Sequence, residues 1–404
     1  MSASQMKPAP ARTDWTAVTA VITAGVIVSM QIGKLPPLLT LLRTEFGLDL
    51  VLGGLLASSV NLIGGLFGIT AGFASDRIGR HSLGIGLAVS AAGAIAGALA
   101  PAGPAGIAIL LGARLIEGMG FVLVVVSGPS LINTATLPQQ RSLALGFWSS
   151  YMPLGVTGGM LGALLVTGGL LDWRGLWLLL AGLLLFAAWT ITRLTRAIAV
   201  PRARRFSAAV LRRSGPWLLA GCFACYTTQW FSIVTWMPTY LHESGSLGGT
   251  GIAIGVALVV LINAIGTTTA AALMHHGLPR WAIIATVSLG MGILGVLSFA
   301  PDTPVLVRIA LAMAASGFGG MLPAAVLASV PDQARDPGEI ATVNGIVVQL
   351  LNIGSFIGPP GLAALVAHLG GWEDGRWLLF GAGLLGMLLA LALRVTERRR
   401  EASA

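Results

Sequence analysis

Residues 105–137 read AGIAILLGARLIEGMGFVLVVVSGPSLINTATL, an apolar run that contains only two charged residues, Arg114 and Glu117. A helix needs about 20 mostly apolar residues to cross the ~30 Å hydrocarbon core of a bilayer, so this stretch predicts a membrane-spanning helix. Over the whole chain 55% of residues are apolar and 10% are charged. Soluble domains carry about 25% charged residues, so most of this surface must face lipid.

Eleven further runs of this kind flank residues 105–137, and they predict an all-α membrane protein with 12 transmembrane helices. The first begins at Trp15 and exceeds the length of a signal-peptide core, so it is retained as a span. The other predicted spans are Trp15–Leu42, Val51–Ser75, Leu83–Ala100, Leu143–Gly168, Gly175–Thr192, Gly215–Leu241, Gly249–Met274, Trp281–Ala300, Pro304–Val330, Ile340–Leu369 and Trp377–Leu393.

The basic residues are distributed asymmetrically between the connecting segments. If the N-terminus is cytoplasmic, 18 of the 24 Lys and Arg residues fall in cytoplasmic segments, and 3 fall in outer loops. The positive-inside rule therefore predicts a multi-pass inner-membrane protein with both termini in the cytoplasm. The net charge of +9 is then explained by the membrane topology and by contact with anionic lipid head groups, and we expect no nucleic-acid partner.

The two halves of the chain share features in the same order. Arg114 and Pro129 match Arg308 and Pro323, and Lys34-Leu35-Pro36 matches Trp236-Met237-Pro238. Repeats of this length predict two parallel six-helix bundles related by an axis along the membrane normal. The predicted organisation is an N-terminal segment 1–14, a first bundle 15–192, an Arg-rich linker 193–214, a second bundle 215–394 and a tail 395–404.

Two motifs resemble the major facilitator superfamily (MFS). The loop after the second span reads GFASDRIGRH at residues 72–81, similar to the family signature G-x-x-x-D-R-x-G-R-[RK], and residues 114–120 read RLIEGMG, similar to R-x-x-x-G-x-G. The resemblance implies the MFS fold of two six-helix bundles with pseudo-two-fold symmetry, alternating access, and a cavity lined by spans one, four, seven and ten. It also implies a conformational latch formed by Gly72, Asp76, Arg77, Gly79 and Arg80. A capped turn with basic membrane anchors is the alternative interpretation of that loop.

Drug-efflux members of the superfamily carry a glycine–proline motif in span five, and this chain matches it in part. Gly146, Gly155 and Gly159 fit, whereas Met160 occupies the proline position. We therefore treat efflux of drugs or amphipathic compounds as the alternative function.

Four acidic or basic residues lie well within the predicted spans: Lys34, Arg114, Glu117 and Arg308. Inserting a charged side chain at the centre of a membrane helix costs about 2.5–3.5 kcal/mol, so each of the four is expected to have a structural or functional role. Three cations with one acid favour an anionic substrate. Arg114 and Glu117 share a helix face, and two interpretations stay open. They form a permanent ion pair, or Glu117 takes a proton when Arg114 turns to substrate. Lys34 and Arg308 could instead extend to the interface.

Polar and aromatic residues near these charges complete the predicted substrate site. Gln31 lies one turn before Lys34, and span seven carries Tyr226, Gln229, Trp230 and Trp236. This mixture suits a pocket for a small organic molecule. The sequence has no phosphate-binding loop and no metal-ligand cluster. We expect no cofactor, no metal and no catalytic residues, and we predict a monomeric secondary transporter driven by a proton or a counter-solute.

Overall fold

The structure is a computed structural model that describes residues 12–196, 207–245, 247–336 and 338–401, without the side chains of residues 72–77, 80, 142 and 399–401. Twelve long helical segments follow one another along this part of the chain and contain no strand. They are α1 Trp15–Phe46, α2 Leu50–Ala71, α3 Ser82–Ala98, α4 Pro104–Ala135, α5 Pro138–Thr167, α6 Trp173–Leu194, α7 Ser214–Glu243, α8 Gly249–His275, α9 Arg280–Ser298, α10 Val305–Ser329, α11 Ile340–Leu369 and α12 Trp372–Arg398.

Among the described residues, ten of these helices are long and apolar enough to cross a membrane. The exceptions are α3, which has 17 residues, and α7, which has 30 residues with a polar stretch at 226–229. Many large apolar side chains, such as Phe186 and Leu306, are exposed on the outer surface of the bundle. Such an apolar outer surface is stable in contact with lipid. The predicted all-α fold with twelve helices is confirmed.

Two helices of the first bundle, α1 and α2, contain an internal turn of 3₁₀-helix. In α1 the regular helix ends at Gly33, and a turn of 3₁₀-helix at Pro36–Leu38 precedes a second helical segment, Leu39–Phe46. Pro36 and Pro37 lack the N–H groups that would continue the hydrogen-bond ladder. In α2 a 3₁₀ turn at Ser59–Asn61 separates Leu50–Ser58 from the following helix. Such turns leave backbone carbonyls for other donors.

The contacts of the two halves repeat at one end of the molecule. In the first half, Trp173 Nε1 donates to Glu45 Oε2 at 2.7 Å, and in the second Trp372 Nε1 donates to Glu243 Oε2 at 2.7 Å. A following arginine donates to the carbonyl at the end of the third helix of its own half. These are Arg174 to Ala100 at 3.0 Å and Arg376 to Phe299 at 3.4 Å. The internal duplication predicted from the sequence is therefore visible in side-chain contacts.

We call this end, where Glu45 and Glu243 lie, the arginine-poor end. The opposite end, where Arg213 lies, is the arginine-rich end. At the arginine-rich end, Glu339 precedes α11 and accepts from Arg213 Nη2 at 2.5 Å and from the Arg335 N–H at 2.8 Å. The Arg335 N–H and the Arg213 guanidinium hold the pKa of this carboxyl below its usual value. The contact ties the start of α7 to the start of α11.

The two bundles pack against each other mainly through α2 and α11. Gly54, Gly64 and Gly68 of α2 lie against Pro360, Asn352 and Gln349 of α11, so close that a Cβ on any of the three glycines would collide. Small residues allow helix backbones to approach in this way in membranes. At the arginine-poor end the bundles are also joined by Arg43 and Glu243, whose Nη1 and Oε1 atoms are 3.9 Å apart.

The predicted orientation leads to a direct test. Reporter fusions after Arg213 and Arg400 are expected to give a cytoplasmic signal, and fusions after Asp172 and Glu243 an external one, because basic residues are retained on the cytoplasmic side. Alkaline phosphatase and green fluorescent protein fusions measure this pair of outcomes. An external signal at Arg213 would contradict the predicted arrangement of the helices.

Candidate functional site

Glu117 forms the centre of a buried charge cluster between α1 and α4. Its Oε1 lies 2.6 Å from Lys34 Nζ, and its Oε2 accepts from Arg114 Nη1. All three side chains are buried, with 0–1% of their surface exposed. Two cations thus face one carboxylate, and the cluster carries a net charge of +1.

The two helix interruptions direct backbone carbonyls at Arg114. Gln31, just before the end of the first segment of α1, accepts from Arg114 Nη1 through its carbonyl at 2.7 Å. Leu56 and Ala57, just before the 3₁₀ turn of α2, accept from Nε and Nη2 at 3.3 Å each. The guanidinium therefore donates hydrogen bonds from all three of its nitrogen atoms, and these bonds offset the cost of burying its charge.

Lys34 is less completely bonded than Arg114. Its Nζ donates to Glu117 and to Gln31 Oε1, and it lies 4.1 Å from the centre of the Trp177 ring. An ammonium has three donors, so one of them makes no hydrogen bond to the described residues. Gln31 Nε2 is buried beside it and has no hydrogen-bond partner in the part of the chain that the structure describes. The surplus positive charge and the unused donors therefore coincide at Lys34 and Gln31.

The interface of α1 with α5 fixes the position of Lys34. A Cβ at Gly159 would lie 2.7 Å from Lys34 N and closer still to the carbonyl of Met30. On the other side of the cluster, Ser90 of α3 donates to the Glu117 carbonyl at 3.0 Å. Close helix packing thus surrounds the three charges and excludes water from them.

Two candidates of the second half, Tyr226 and Trp230, belong to a separate hydrogen-bond network. Asn263 Nδ2 of α8 donates to the Tyr226 hydroxyl at 3.1 Å and to the Ser316 carbonyl of α10 at 2.8 Å. Trp230 Nε1 donates to Ser316 Oγ at 3.0 Å. Tyr226 and Trp230 were selected from the sequence for their chemistry. Ser316 was not, because an isolated serine in an apolar helix gives no signal.

The remaining candidates lie elsewhere. Gln229 bonds the Cys225 carbonyl of its own helix at 3.3 Å and faces Gly383 of α12. Trp236 donates to the Pro359 carbonyl of α11 at 2.7 Å. Arg308 is partly buried at the arginine-poor end, with its guanidinium carbon 4.7 Å from the centre of the Tyr240 ring. None of the described contacts of these three residues reaches Glu117, so their roles in substrate binding stay predictions.

The predicted latch lies mostly outside the described side chains. This applies to Gly72, Asp76, Arg77 and Arg80. The helical backbone continues beyond Ala71 as far as Ile78, and Arg80 lies in the 3₁₀ turn Gly79–His81 that follows. Gly79 has a φ of 65°, a left-handed conformation that glycine adopts without strain. The latch role of this loop stays a prediction.

Comparison with known proteins identifies the family. The family model described as Major Facilitator Superfamily matches residues 21–359. Two solved structures of a bacterial homolog to the human lysosomal transporter Spinster, inward-facing and either occupied or unoccupied, share the fold. Their TM-scores are 0.74 and 0.73, at 16% and 15% identity, over 95% of this chain and 96% of those chains. No curated protein matches. A match that spans most of the chain, with a fold shared over nearly all of it, shows that the protein belongs to the Major Facilitator Superfamily of membrane transporters.

Proposed function

We propose that this transporter moves a small anionic organic solute across the inner membrane by alternating access coupled to protons. The observation that carries the proposal is the cluster of Lys34, Arg114 and Glu117, which is buried and has one more cation than acid. A buried charge without a counter-charge is costly, and a substrate anion would supply the missing one.

Glu117 occupies the place that a substrate carboxylate would take. It bonds both cations, and Gln31 Nε2 beside them has no hydrogen-bond partner among the described residues. A carboxylate that arrives at Lys34 and Gln31 competes with Glu117 for the Lys34 ammonium. The arriving carboxylate is a second negative charge beside Glu117, and protonation of Glu117 removes the repulsion between the two. Substrate binding and proton uptake are linked by this exchange of partners.

Transport assays on reconstituted protein test the proposal. We expect uptake of small organic anions into proteoliposomes to increase with a pH gradient. Lys34→Gln should weaken binding of the anion about tenfold or more, because a charge-assisted hydrogen bond contributes ~1.5–3 kcal/mol. Arg141→Gln, at an exposed arginine of the arginine-rich end, serves as the control and should have no effect.

The substrate panel should include a neutral analogue of each anion and a lipophilic cation. Lys34→Gln should leave binding of the neutral analogue unchanged, because that ligand has no charge to pair with the ammonium. Tight binding of the cation by the unmodified protein would contradict the proposal and favour efflux of amphipathic compounds. Arg308→Gln in the same assay shows whether the arginine beside Tyr240 also contacts the anion.

A further inference from the structure

An elongated groove lies on the surface of the first bundle, between α1 and α6 at the arginine-rich end. Its volume is about 570 Å³. Its walls are apolar apart from a line of threonine hydroxyls on α1 and one threonine on α6. They comprise Trp15, Thr16, Thr19, Ala20, Thr23 and Ile27 of α1 and Leu183, Phe186, Ala187, Thr190, Ile191 and Leu194 of α6. Because α1 and α6 run antiparallel, Trp15 and Leu194 lie at the same end of the groove.

The length of the groove matches one leaflet of a bilayer. The 12-residue separation of Trp15 and Ile27 corresponds to about 18 Å at 1.5 Å per residue. Half of the ~30 Å hydrocarbon core is about 15 Å. A single acyl chain of the leaflet at the arginine-rich end therefore fits along it.

Two exposed arginines lie close in the sequence to lining residues of the groove, and they favour an anionic head group. Arg12 precedes α1 and is exposed, and the Arg193 guanidinium carbon lies 4.3 Å from the centre of the Trp189 ring, one turn before the end of α6. The nearby acid, Asp14, accepts from the Ala17 N–H as the N-cap of α1. Basic residues close to a membrane surface attract anionic lipid, and tryptophans mark the level of the head groups.

We propose that this groove binds one acyl chain of an anionic glycerophospholipid whose phosphate lies against Arg12 and Arg193. The lipid would contact both α1 and α6, and each of these helices carries a residue at the charge cluster. Lys34 is carried by α1, and Trp177, over which Lys34 lies, is carried by α6. Lipid in the groove would thus hold α1 against α6 at the end opposite to these two residues.

Native mass spectrometry of the full chain can test the site, with phosphatidylglycerol and phosphatidylcholine added separately to delipidated protein. We expect phosphatidylglycerol to be retained in preference to phosphatidylcholine. Thr19→Trp should abolish this retention by filling the groove. The double change Arg12→Gln and Arg193→Gln should weaken it about fivefold for each arginine removed. Leu185→Trp, at an exposed position of α6 outside the groove, and Arg141→Gln are the matched controls and should retain lipid like the unmodified protein.

Two results would overturn the proposal. One is equal retention of the two lipids by the unmodified protein, because the site would then not recognise the charge. The other is unchanged phosphatidylglycerol retention in both the Thr19→Trp protein and the double arginine variant. Since Arg12 and Arg193 are exposed, their replacement leaves the buried packing unchanged, and this variant remains informative if Thr19→Trp does not fold.

Discussion

Replacing Glu117 by glutamine is expected to lower the free energy of unfolding by about 3–5 kcal/mol, because loss of one member of a buried ion pair leaves an uncompensated charge. Here the change would leave two cations, Lys34 and Arg114, both buried and both deprived of the carboxylate that they share. Unfolding by sodium dodecyl sulfate in mixed micelles measures the difference from the unmodified protein.

Lys34→Met provides the matched control for this prediction. It removes one cation and leaves Arg114 paired with Glu117, so its cost should be smaller than that of Glu117→Gln. The double variant Lys34→Met with Glu117→Gln should be more stable than Glu117→Gln alone, since only one buried cation then lacks a partner. If Glu117→Gln is as stable as the unmodified protein, the cluster does not contribute to folding.

The same variants separate the two interpretations of Glu117. If the carboxyl couples transport to protons, Glu117→Gln reconstituted in liposomes should still exchange substrate but should no longer accumulate it in response to a pH gradient. A permanent structural pair would instead give a protein that has lost substrate exchange as well as accumulation. Accumulation driven by a pH gradient in Glu117→Gln would exclude Glu117 as the coupling site.

The fold could be predicted from the sequence because each membrane helix is a local feature. Apolar length determines the spans, and Ile340–Leu369 was predicted at the residues where α11 is found. The end of α12 was missed, since the predicted span stops at Leu393 whereas α12 continues to Arg398. A charged helical extension beyond the membrane carries no hydropathy signal, so its length could not be read from the apolar pattern.

The site could be predicted only in part because its decisive contact is distant in the sequence. The Arg114–Glu117 pair follows from helical spacing, as the two residues are three positions apart. The contact of Lys34 with Glu117 joins residues 83 positions apart and depends on the interruption of α1. Extension of Lys34 to the interface was a reasonable alternative until its ammonium was seen to be buried in the cluster.

Span seven illustrates a second limit of sequence reasoning. Tyr226, Gln229, Trp230 and Trp236 were grouped because each has a polar group on one helix, but a helix presents such residues to different neighbours. Tyr226 contacts Asn263 of α8, whereas Trp236 contacts Pro359 of α11. Only the packing of the second bundle decides which of these side chains share a site.

Gly159→Ala is expected to destabilise the protein by about 1–3 kcal/mol or more through overpacking, and to reduce transport by displacing Lys34. The added methyl would lie 2.7 Å from Lys34 N in a backbone contact that cannot yield without separating α1 from α5. The adjacent residue supplies the control, because a Cβ at Gly158 would meet only the flexible side chain of Met30, at 3.4 Å. Gly158→Ala should therefore be neutral or stabilising, since alanine is favoured over glycine in a helix by about 1 kcal/mol. Unfolding in mixed micelles and anion binding should be measured on both proteins. Equal stability and equal affinity in the two variants would show that the approach of α1 to α5 does not position Lys34.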